Sequence, residues 1–578
     1  MNRNYIGLAC TFHDPALAVV NSRGEVVFAE GMERPTQTKR ALHCMPDSPS
    51  YLEKILEKHC EPDAELIVAR SWSLAHTWRL RLLHRLNWLL RLSNRDLAPG
   101  TMSGAFWRYI CASQIHSMAG AGEGLILQVA LNALRQSATL HTERPRVKPV
   151  ELIGFDHHLS HAAAAAWSSP FGESVVAVVD GYGELGTTAF YRHEGAKLTL
   201  LRSRSSYGSL GLYYSQLCQA CGFDSLRGEE WKVMGLAPYG ECDEVVYNLL
   251  KSMFLIEGLR VVPVNPRGGT RKIWESLADI PPQVLAFTGQ LVFEEWMTML
   301  LRNLADLKLS ENLVLTGGCA LNSSYNGTIL ERTPFRALHV LAAPADDGNA
   351  IGSALLAYRR DHPDWVPTVG VHTPYLGSSL SREVLKNLVQ FDDGKHVSEH
   401  PGTIHKVAAR ALADGKIIGW VQGRAEFGPR ALGNRSILAD PRHPGIKDRI
   451  NSRVKFREEF RPFAPAILHE HGPEYFECYQ ESPYMERTLR FRPEVIDRVP
   501  GVVHVNKTGR LQTVRREWNE RFHALVEEFH ALTGVPVVLN TSFNVMGKPI
   551  IHSVEDALAV LHTTGLDAVA LEDYWVEK

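Results

Sequence analysis

Asp156-His157-His158-Leu159-Ser160-His161 runs directly into Ala162-Ala163-Ala164-Ala165-Ala166, and the reading of this stretch decides how the first half of the chain folds. Alanine is the strongest helix former, and polar Asp156 stands where a helix would be capped. Residues 157 and 161 are four apart, so on a helix both imidazoles leave one face a turn apart. Two aspartates are candidates to join them. Asp180 ends the apolar run 175–179 and Asp346 follows the run 340–345, and carboxylates at strand ends of an α/β sheet point into the crevice where ligands bind. Two His and two Asp suit a divalent transition metal. Spacing alone favours the plainer reading of capped or core histidines in an Ala-rich helix.

Working outward, residues 5–10, 16–20 and 26–29 read as strands, with a turn at Ser22-Arg23-Gly24 and a polar corner at Thr11-Phe12-His13-Asp14. Residues 40–150 read as mostly helical, broken by the Gly-rich 119–124. Strand-like runs return at 175–179 and 188–191 around Asp180-Gly181-Tyr182-Gly183-Glu184. An amphipathic stretch over 284–304 leads to Asn312-Leu313-Val314-Leu315-Thr316-Gly317-Gly318-Cys319-Ala320-Leu321-Asn322, a strand, a Gly-Gly turn and a helix start. Pro363, Pro367 and Pro374 with Gly370 and Gly377 mark a linker, and a second α/β unit starts near Ser381. No internal repeat is evident.

The 578 residues exceed what one hydrophobic core organises, so two or more domains are expected. With 45% hydrophobic and 22% charged residues the chain reads as globular, and a net charge of −2 gives no general reason to bind nucleic acid or an anionic membrane. Nine cysteines in this length form no disulfide framework. The first residues lack an apolar signal core and no run approaches a membrane span, so a reducing, cytoplasmic setting is expected. Cys218-Gln219-Ala220-Cys221 stands alone and reads as two thiols on one packed helix face. Arg79, Arg81, Arg85 and Arg91 make 74–92 basic and amphipathic. The expected role is an insertion helix packed on its own domain rather than one on a membrane surface or in a partner groove.

Positive charge concentrates in the second half. The loop Gln422-Gly423-Arg424-Ala425-Glu426-Phe427-Gly428-Pro429-Arg430-Ala431-Leu432-Gly433-Asn434-Arg435-Ser436 is followed by Lys455-Phe456-Arg457-Glu458-Glu459-Phe460-Arg461-Pro462-Phe463 and by Arg510. Arginine forks bind phosphate bidentately, so phosphate binding is expected over salt-bridged surface loops. An apolar strand then ends in Asn540-Thr541-Ser542-Phe543-Asn544, a place for small-ligand hydrogen bonds.

Residues 156–166, Gly228-Glu229-Glu230-Trp231-Lys232-Val233-Met234-Gly235-Leu236-Ala237-Pro238-Tyr239-Gly240, and residues 317–322, 426–436, 461–465 and 540–544 together resemble the NodU/CmcH-type O-carbamoyltransferases. The match covers nearly the whole chain in order and is weakest over 40–150. It implies an α/β protein of two domains. Residues 1–365 would form an actin/hexokinase-like domain, similar to the universal tRNA-threonylcarbamoyl transferase. Residues 366–578 would form a YrdC-like α/β domain. The implied reaction makes carbamoyl adenylate from carbamoyl phosphate and ATP with Mg2+ in the second domain. The first domain then passes the carbamoyl group to a hydroxyl of a small natural product.

Carried over residue by residue, the resemblance places an iron-like Fe2+ on His157, His161, Asp180 and Asp346, with zinc or manganese also compatible with those ligands. It leaves His158 as a packing or outer residue. Carbamoyl phosphate would meet Arg430, Lys455, Arg461, Arg510 and Ser542, with Lys455 and Arg461 catalytic. The nucleotide would meet Gly317, Gly318, Asn322, Asn540 and Thr541. His13 would take the acceptor proton, with a turn cap beside Asp14 as its other reading. Lys232 and Glu229 would contact phosphates or pair with each other. Asp347, beside Asp346, leaves the choice of carboxylate open. The family often carries an Arg and a Glu where this chain has Met546 and Lys548, which is read as a shifted salt bridge. No nucleic acid or membrane partner is expected, and a homodimer is left open. A tRNA-modifying protein would present a basic surface, which this neutral chain does not supply. A non-catalytic binding scaffold would have no use for both the metal set and the arginine loops.

Overall fold

The computed structural model describes residues 2–578 apart from 12, 43, 47–48, 62–63, 77, 79–150, 185, 205–207, 265–268, 371 and 392–395. The basic stretch beyond residue 78 and the break at 119–124 therefore lie outside the described residues.

The chain begins with a five-stranded sheet of β1 (Arg3–Ala9), β2 (Ala16–Val20), β3 (Val26–Gly31), β4 (Glu65–Arg70) and β5 (Glu151–Gly154), in the order β3-β2-β1-β4-β5. β1 is antiparallel to β2 and β2 to β3, while β4 and β5 add in parallel on the other edge. β4 corrects the helical reading of 40–150. Within that span Pro49–His59 is helical and Glu65-Leu66-Ile67-Val68-Ala69-Arg70 is a strand whose last five residues are buried.

A second sheet contains β6 (Glu173–Val179), β7 (Thr188–Glu194) and β8 (Lys197–Arg204). A hairpin of β9 (Phe254–Glu257) and β10 (Arg260–Pro263) intervenes before β11 (Asn312–Thr316) and β12 (Ala337–Val340) join that sheet. Its order is β12-β11-β6-β7-β8, with β6 to β8 antiparallel and β11 and β12 parallel to β6. From the other edge, β8-β7-β6-β11-β12 reproduces β3-β2-β1-β4-β5 in order and sense. The domain is thus a duplicated lobe, the arrangement an actin/hexokinase-like fold requires, and this repeat was not legible in the sequence.

Each lobe sends a helix into the space between the sheets after its last strand. His157–Trp167 follows β5 and Asn349–Asp361 follows β12; they pack on each other, the first also on β6 and β11 and the second on β1 and β2, within a core of Ala162–Ala166, Val176, Val178, Ala350 and Ala354. Side chains this small let the backbones approach closely: a Cβ on Gly352 would lie 1.9 Å from the Ser160 carbonyl oxygen. The outer face of the second lobe is closed by the 24-residue helix Pro282–Ala305. By length and apolar composition this helix could cross a membrane, which corrects the reading that no run approaches a span, but Leu285, Phe293, Trp296 and Leu300 are buried in the core. Cys218 and Cys221 lie at the end of the helix Leu210–Ala220, buried and unbridged, and burial pushes the Cys221 thiol up to about 12.

After the helix Asn349–Asp361 a strap leads into a nine-stranded mixed sheet. Its strands are β13 (Val397–Glu399), β14 (Ile418–Val421), β15 (Arg435–Ala439), β16 (Ala464–Leu468), β17 (Arg487–Arg490), β18 (Thr508–Val514), β19 (Val537–Ser542), β20 (Ala568–Leu571) and β21 (Tyr574–Glu577). Their order is β13-β21-β20-β14-β15-β19-β16-β18-β17. The packed helices Ile404–Ala413 and Glu520–Thr533 supply Ala408, Leu412, Phe522, Leu525 and Phe529 to its core. The α/β class follows from these three sheets.

Candidate functional site

The helix His157–Trp167 starts where the sequence motif places it. Asp156 is its N-cap, accepting from Leu159 N at 2.9 Å, so this carboxylate serves the backbone and leaves the next turn to the imidazoles. His157 Nε2 lies 3.5 Å from Asp180 Oδ2 and 3.4 Å from Asp346 Oδ1, and His161 Nε2 lies 3.9 and 3.4 Å from the same atoms. The four ligand atoms fall within 4.8 Å of one another and all four residues are buried. Three segments, brought together by the crevice between the lobes, supply them.

The Gly-Gly turn orients one of these carboxylates. Gly317 holds φ 89° where a Cβ would meet the Val179 oxygen at 2.4 Å, and its N–H donates to Pro344 O at 2.8 Å, tying β11 to the loop that carries Asp346. Gly318 N–H donates to Asp180 Oδ1 at 2.9 Å, which turns Oδ2 toward the histidines. Gly317 and Gly318 therefore stand beside the His/Asp cluster. Asn322, three residues on from Cys319, accepts from Tyr325 N and exchanges hydrogen bonds with Gln290.

This donor set fits a divalent cation. The Nε2 atoms of His157 and His161 are buried and make no hydrogen bond. Burial opposes a charge on His157, yet the Asp180 and Asp346 carboxylates, 3.5 and 3.4 Å away, push it up to about 10, so the cluster holds positive charge strongly. Asn349 Nδ2 lies 3.4 Å from His157 Nδ1 while its Oδ1 is buried without a partner. Turning that amide over gives Nδ1–H an acceptor and leaves the Nε2 lone pair for a metal, the usual outer-sphere arrangement. Trp72 stacks on the His157 ring at 4.4 Å and fixes its plane. His158 points instead at Gly183, and burial together with neighbouring His157 presses it down to about 4. Of the two adjacent aspartates, Asp346 joins the histidines. Asp347 accepts from Gly348 N, and burial beside Asp14 and Asp346 raises it to about 8.

His13 stands at the rim. Its Nδ1 is 3.0 Å from Asp14 Oδ2 and 3.8 Å from Asp346 Oδ2. Arg40 donates to Asp14 Oδ2 through Nε and Nη2 at 3.0 and 2.8 Å and through Nη1 to Ser225 O. Burial opposes the Asp14 charge, but Arg40 and His13 hold the carboxylate well below its usual range.

The second cluster lies in the C-terminal sheet domain, against the lobes. Arg430, Lys455, Arg457, Arg461 and Arg510 are buried or half-buried there. Burial lowers Arg430, with Arg510 adding to it. Burial takes Arg457 down to about 9, with Arg461 and Arg510 adding, and takes Arg510 to about 10. Guanidinium stays charged, so these shifts show how little counter-charge the cluster has. Among the described residues no carboxylate pairs with Arg430, Arg457 or Arg510, and Arg457 Nη2, Arg461 Nε and Arg510 Nε lack hydrogen-bond partners. Arg457 was not singled out in the sequence, although it lies inside the basic motif.

The other candidates fall nearby in different roles. Lys455 is 1% exposed, and its Nζ reaches Ser542 Oγ at 3.2 Å, Asn544 O at 3.1 Å and Asn544 Oδ1 at 2.6 Å. This amine ties the end of β19 to the basic loop. Asn540 donates to Ala431 O and Gln512 Oε1, so its amide N–H groups support the arginine loop from beneath, and Thr541 sits half-buried next to it. Glu426 Oε1 takes the N–H groups of Leu432, Asn434 and Arg435, while Arg435 donates to four backbone carbonyls. These two charged motif residues shape the loop.

The two clusters meet through one turn. Arg430 Nη2 reaches Leu321 O at 3.4 Å, three residues beyond the Gly318 that holds Asp180, and Arg34 of the first lobe donates to Gly428 O at 2.9 Å. The family models described as Carbamoyltransferase N-terminus and Carbamoyltransferase C-terminus match residues 125–355 and 409–578. Nodulation protein NolO of Bradyrhizobium diazoefficiens is 35% identical, over 73% of this chain and 79% of that protein. The chain belongs to the carbamoyltransferase family. Nodulation protein NolNO of Sinorhizobium fredii is 36% identical over 75% of this chain and 65% of its own length, and Nodulation protein U of the same species 31% over 68% and 73%. Among solved structures, a full-length HypF in its phosphate- and nucleotide-bound form overlays 62% of this carbamoyltransferase and 55% of that chain, at 12% identity and a TM-score of 0.32. A ROK family protein from Streptococcus pneumoniae overlays 63% and 100%, at 10% identity and a TM-score of 0.31. So slight a likeness leaves the fold to rest on strand order and sense.

Proposed function

We propose that this carbamoyltransferase activates carbamoyl phosphate with ATP and delivers the carbamoyl group to a hydroxyl of a small natural product. The observation that carries the reading is the buried cluster of cations beside the turn that also orients Asp180. A set of arginines of which Arg430, Arg457 and Arg510 have no paired carboxylate among the described residues is suited to dianionic carbamoyl phosphate and to the ATP phosphates. Atom balance sets the steps. Water splits carbamoyl phosphate into carbamate and phosphate. A carbamate oxygen then attacks the ATP α-phosphorus and expels pyrophosphate, giving carbamoyl adenylate. Finally the acceptor oxygen attacks the carbamoyl carbon, AMP leaves, and the hydroxyl proton passes to a base. His13, steadied by Asp14 and Arg40, is that base. His157, His161, Asp180 and Asp346 would hold a divalent cation such as Fe2+, which supplies Lewis-acid polarisation at the transfer site.

In this reading the C-terminal domain is a YrdC-like adenylating unit and the duplicated lobes are the transferase, with Mg2+ accompanying ATP. Relatives named for nodulation favour a small-molecule acceptor over tRNA, as does the net charge of −2. The test is mass detection of carbamoyl adenylate with carbamoyl phosphate and ATP as the sole substrates. Pyrophosphate release that depends on carbamoyl phosphate is expected, and formation of ADP would overturn the adenylate route.

A further inference from the structure

Among the described residues Glu458 is the carboxylate ion-paired to the cation cluster, and its two oxygens are held differently. Oε1 accepts a hydrogen bond from Lys232 Nζ at 3.0 Å, and Lys232 also pairs with Glu229 at 2.6 Å. Oε2 lies 2.7 Å from Arg461 Nη2 but is buried without a hydrogen bond, and Arg461 Nε is orphaned as well. The contact with Arg461 is therefore Coulombic, without the directed fork that guanidinium and carboxylate usually form. Exposure is also unequal. The side chains of Arg461 and Lys232 are 6% and 8% exposed, and the Arg461 guanidinium lies 4.2 Å over the Trp231 ring, whereas the Glu458 side chain is 35% exposed. The cations are packed on both sides and the acid is the partner open to solvent.

We propose that Glu458 is a resident counter-ion of the cation cluster: an incoming phosphoryl group takes the Arg461 fork and leaves the carboxylate on Lys232. The proposal rests on the reading that this cluster receives carbamoyl phosphate. A carboxylate near the vacated place repels the dianion, so Glu458 sets affinity downward and Lys232 moderates that effect by holding it aside. Lys232 and Trp231 belong to the helix Glu230–Leu236 of the duplicated lobes, so in this proposal occupancy of the cation cluster is felt across the domain boundary. Glu458 is thus a positioning residue, acting through Arg461.

The experiment measures binding of inorganic phosphate to the full chain by titration calorimetry, with the half-saturating carbamoyl phosphate concentration for pyrophosphate release as a second readout. Glu458→Gln should tighten both by roughly threefold to tenfold, the effect of removing one partly screened like charge. Lys232→Met should weaken both by a similar factor, and the double variant should match Glu458→Gln, since Lys232 acts through the acid. Thermal melts establish that each variant is folded. Glu458→Gln binding as wild type or more weakly, or a Lys232→Met loss that persists in the Glu458→Gln background, overturns the counter-ion role while the cluster's proposed substrate stands. Wild-type protein that binds neither phosphate nor carbamoyl phosphate overturns both.

Discussion

His161 and Asp346 make the strongest claim at the level of single residues, since each offers an atom to the cluster from a buried position. His161→Ala should abolish stoichiometric metal, read by elemental analysis of purified protein, because a four-ligand site rarely tolerates a lost donor. Asn349→Leu removes the group facing His157 Nδ1, and metal affinity should fall about 10–100-fold with the ligands intact. Unchanged competition with a chelator would refute that outer role. Another buried imidazole has nothing to do with metal. Burial, with Arg487 beside it, takes His339 down to about 3. The folded state therefore binds fewer protons than the unfolded chain below the unfolded value near 6.5, so stability is lost as pH falls from about 6.5 toward 3. His339→Met should flatten the dependence of melting temperature on pH between about 6.5 and 5.5, above the range where ordinary carboxylates titrate. The histidine pair was legible in sequence because a four-residue spacing has one geometric meaning on a helix. Arg457 was not, since nothing in Lys455-Phe456-Arg457-Glu458-Glu459-Phe460-Arg461 tells which charges turn inward and which, like Lys455, are absorbed by a strand end.

Among the elements, the two helices between the sheets and the turn at Gly317 position the ligands. Gly352→Ala places a methyl 1.9 Å from the Ser160 oxygen, and backbone can yield only by moving the helices apart. A cost of about 1–3 kcal/mol is expected, with weaker metal retention, since His157 and His161 ride on one helix and Asp346 precedes the other. Gly317→Ala must hold φ 89° with a side chain pressed on Val179, costing roughly 1–3 kcal/mol and loosening the Gly318 contact that aims Asp180. Melting temperature and metal content measured together test both variants; a destabilised protein with full metal would show that these glycines serve packing alone. The turn was readable as strand, Gly-Gly and helix start because glycine marks backbone that other residues cannot follow. β4 was missed because Leu66-Ile67-Val68-Ala69 is a short apolar run with no alternation, as a strand buried on both faces must be, and such a run has no period to separate it from a helix.

The whole molecule is two lobes of one topology with a third sheet domain docked across them. The duplication left no trace in the sequence because strand order and sense are repeated while side chains are not, and core positions accept many apolar residues of similar volume. The docking is specific: Arg430 to Leu321, Arg34 to Gly428, Asn326 Nδ2 to Glu486 O, and Lys232 to Glu458. It places Arg430 of the cation cluster beside the turn that aims Asp180, so under the proposed function an intermediate made at one cluster would cross this domain boundary to reach the other. Two clusters on separate domains predict separable half-reactions. Arg457→Ala or Arg461→Ala removes a charge-assisted contact worth about 2–3 kcal/mol, near a hundredfold in rate, and should cut carbamoyl adenylate formation while leaving transfer from supplied adenylate intact. His13→Asn or Asp346→Asn should do the reverse, letting adenylate accumulate when ATP and carbamoyl phosphate are given without delivering it to an alcohol. Both half-reactions are assayed for each variant, by mass detection of the adenylate and of the carbamoylated acceptor. Loss of the same half-reaction in the Arg461 and Asp346 variants would mean that the two clusters serve a single chemical step, and the arrangement would then have to be understood as one composite site spread across the domain boundary.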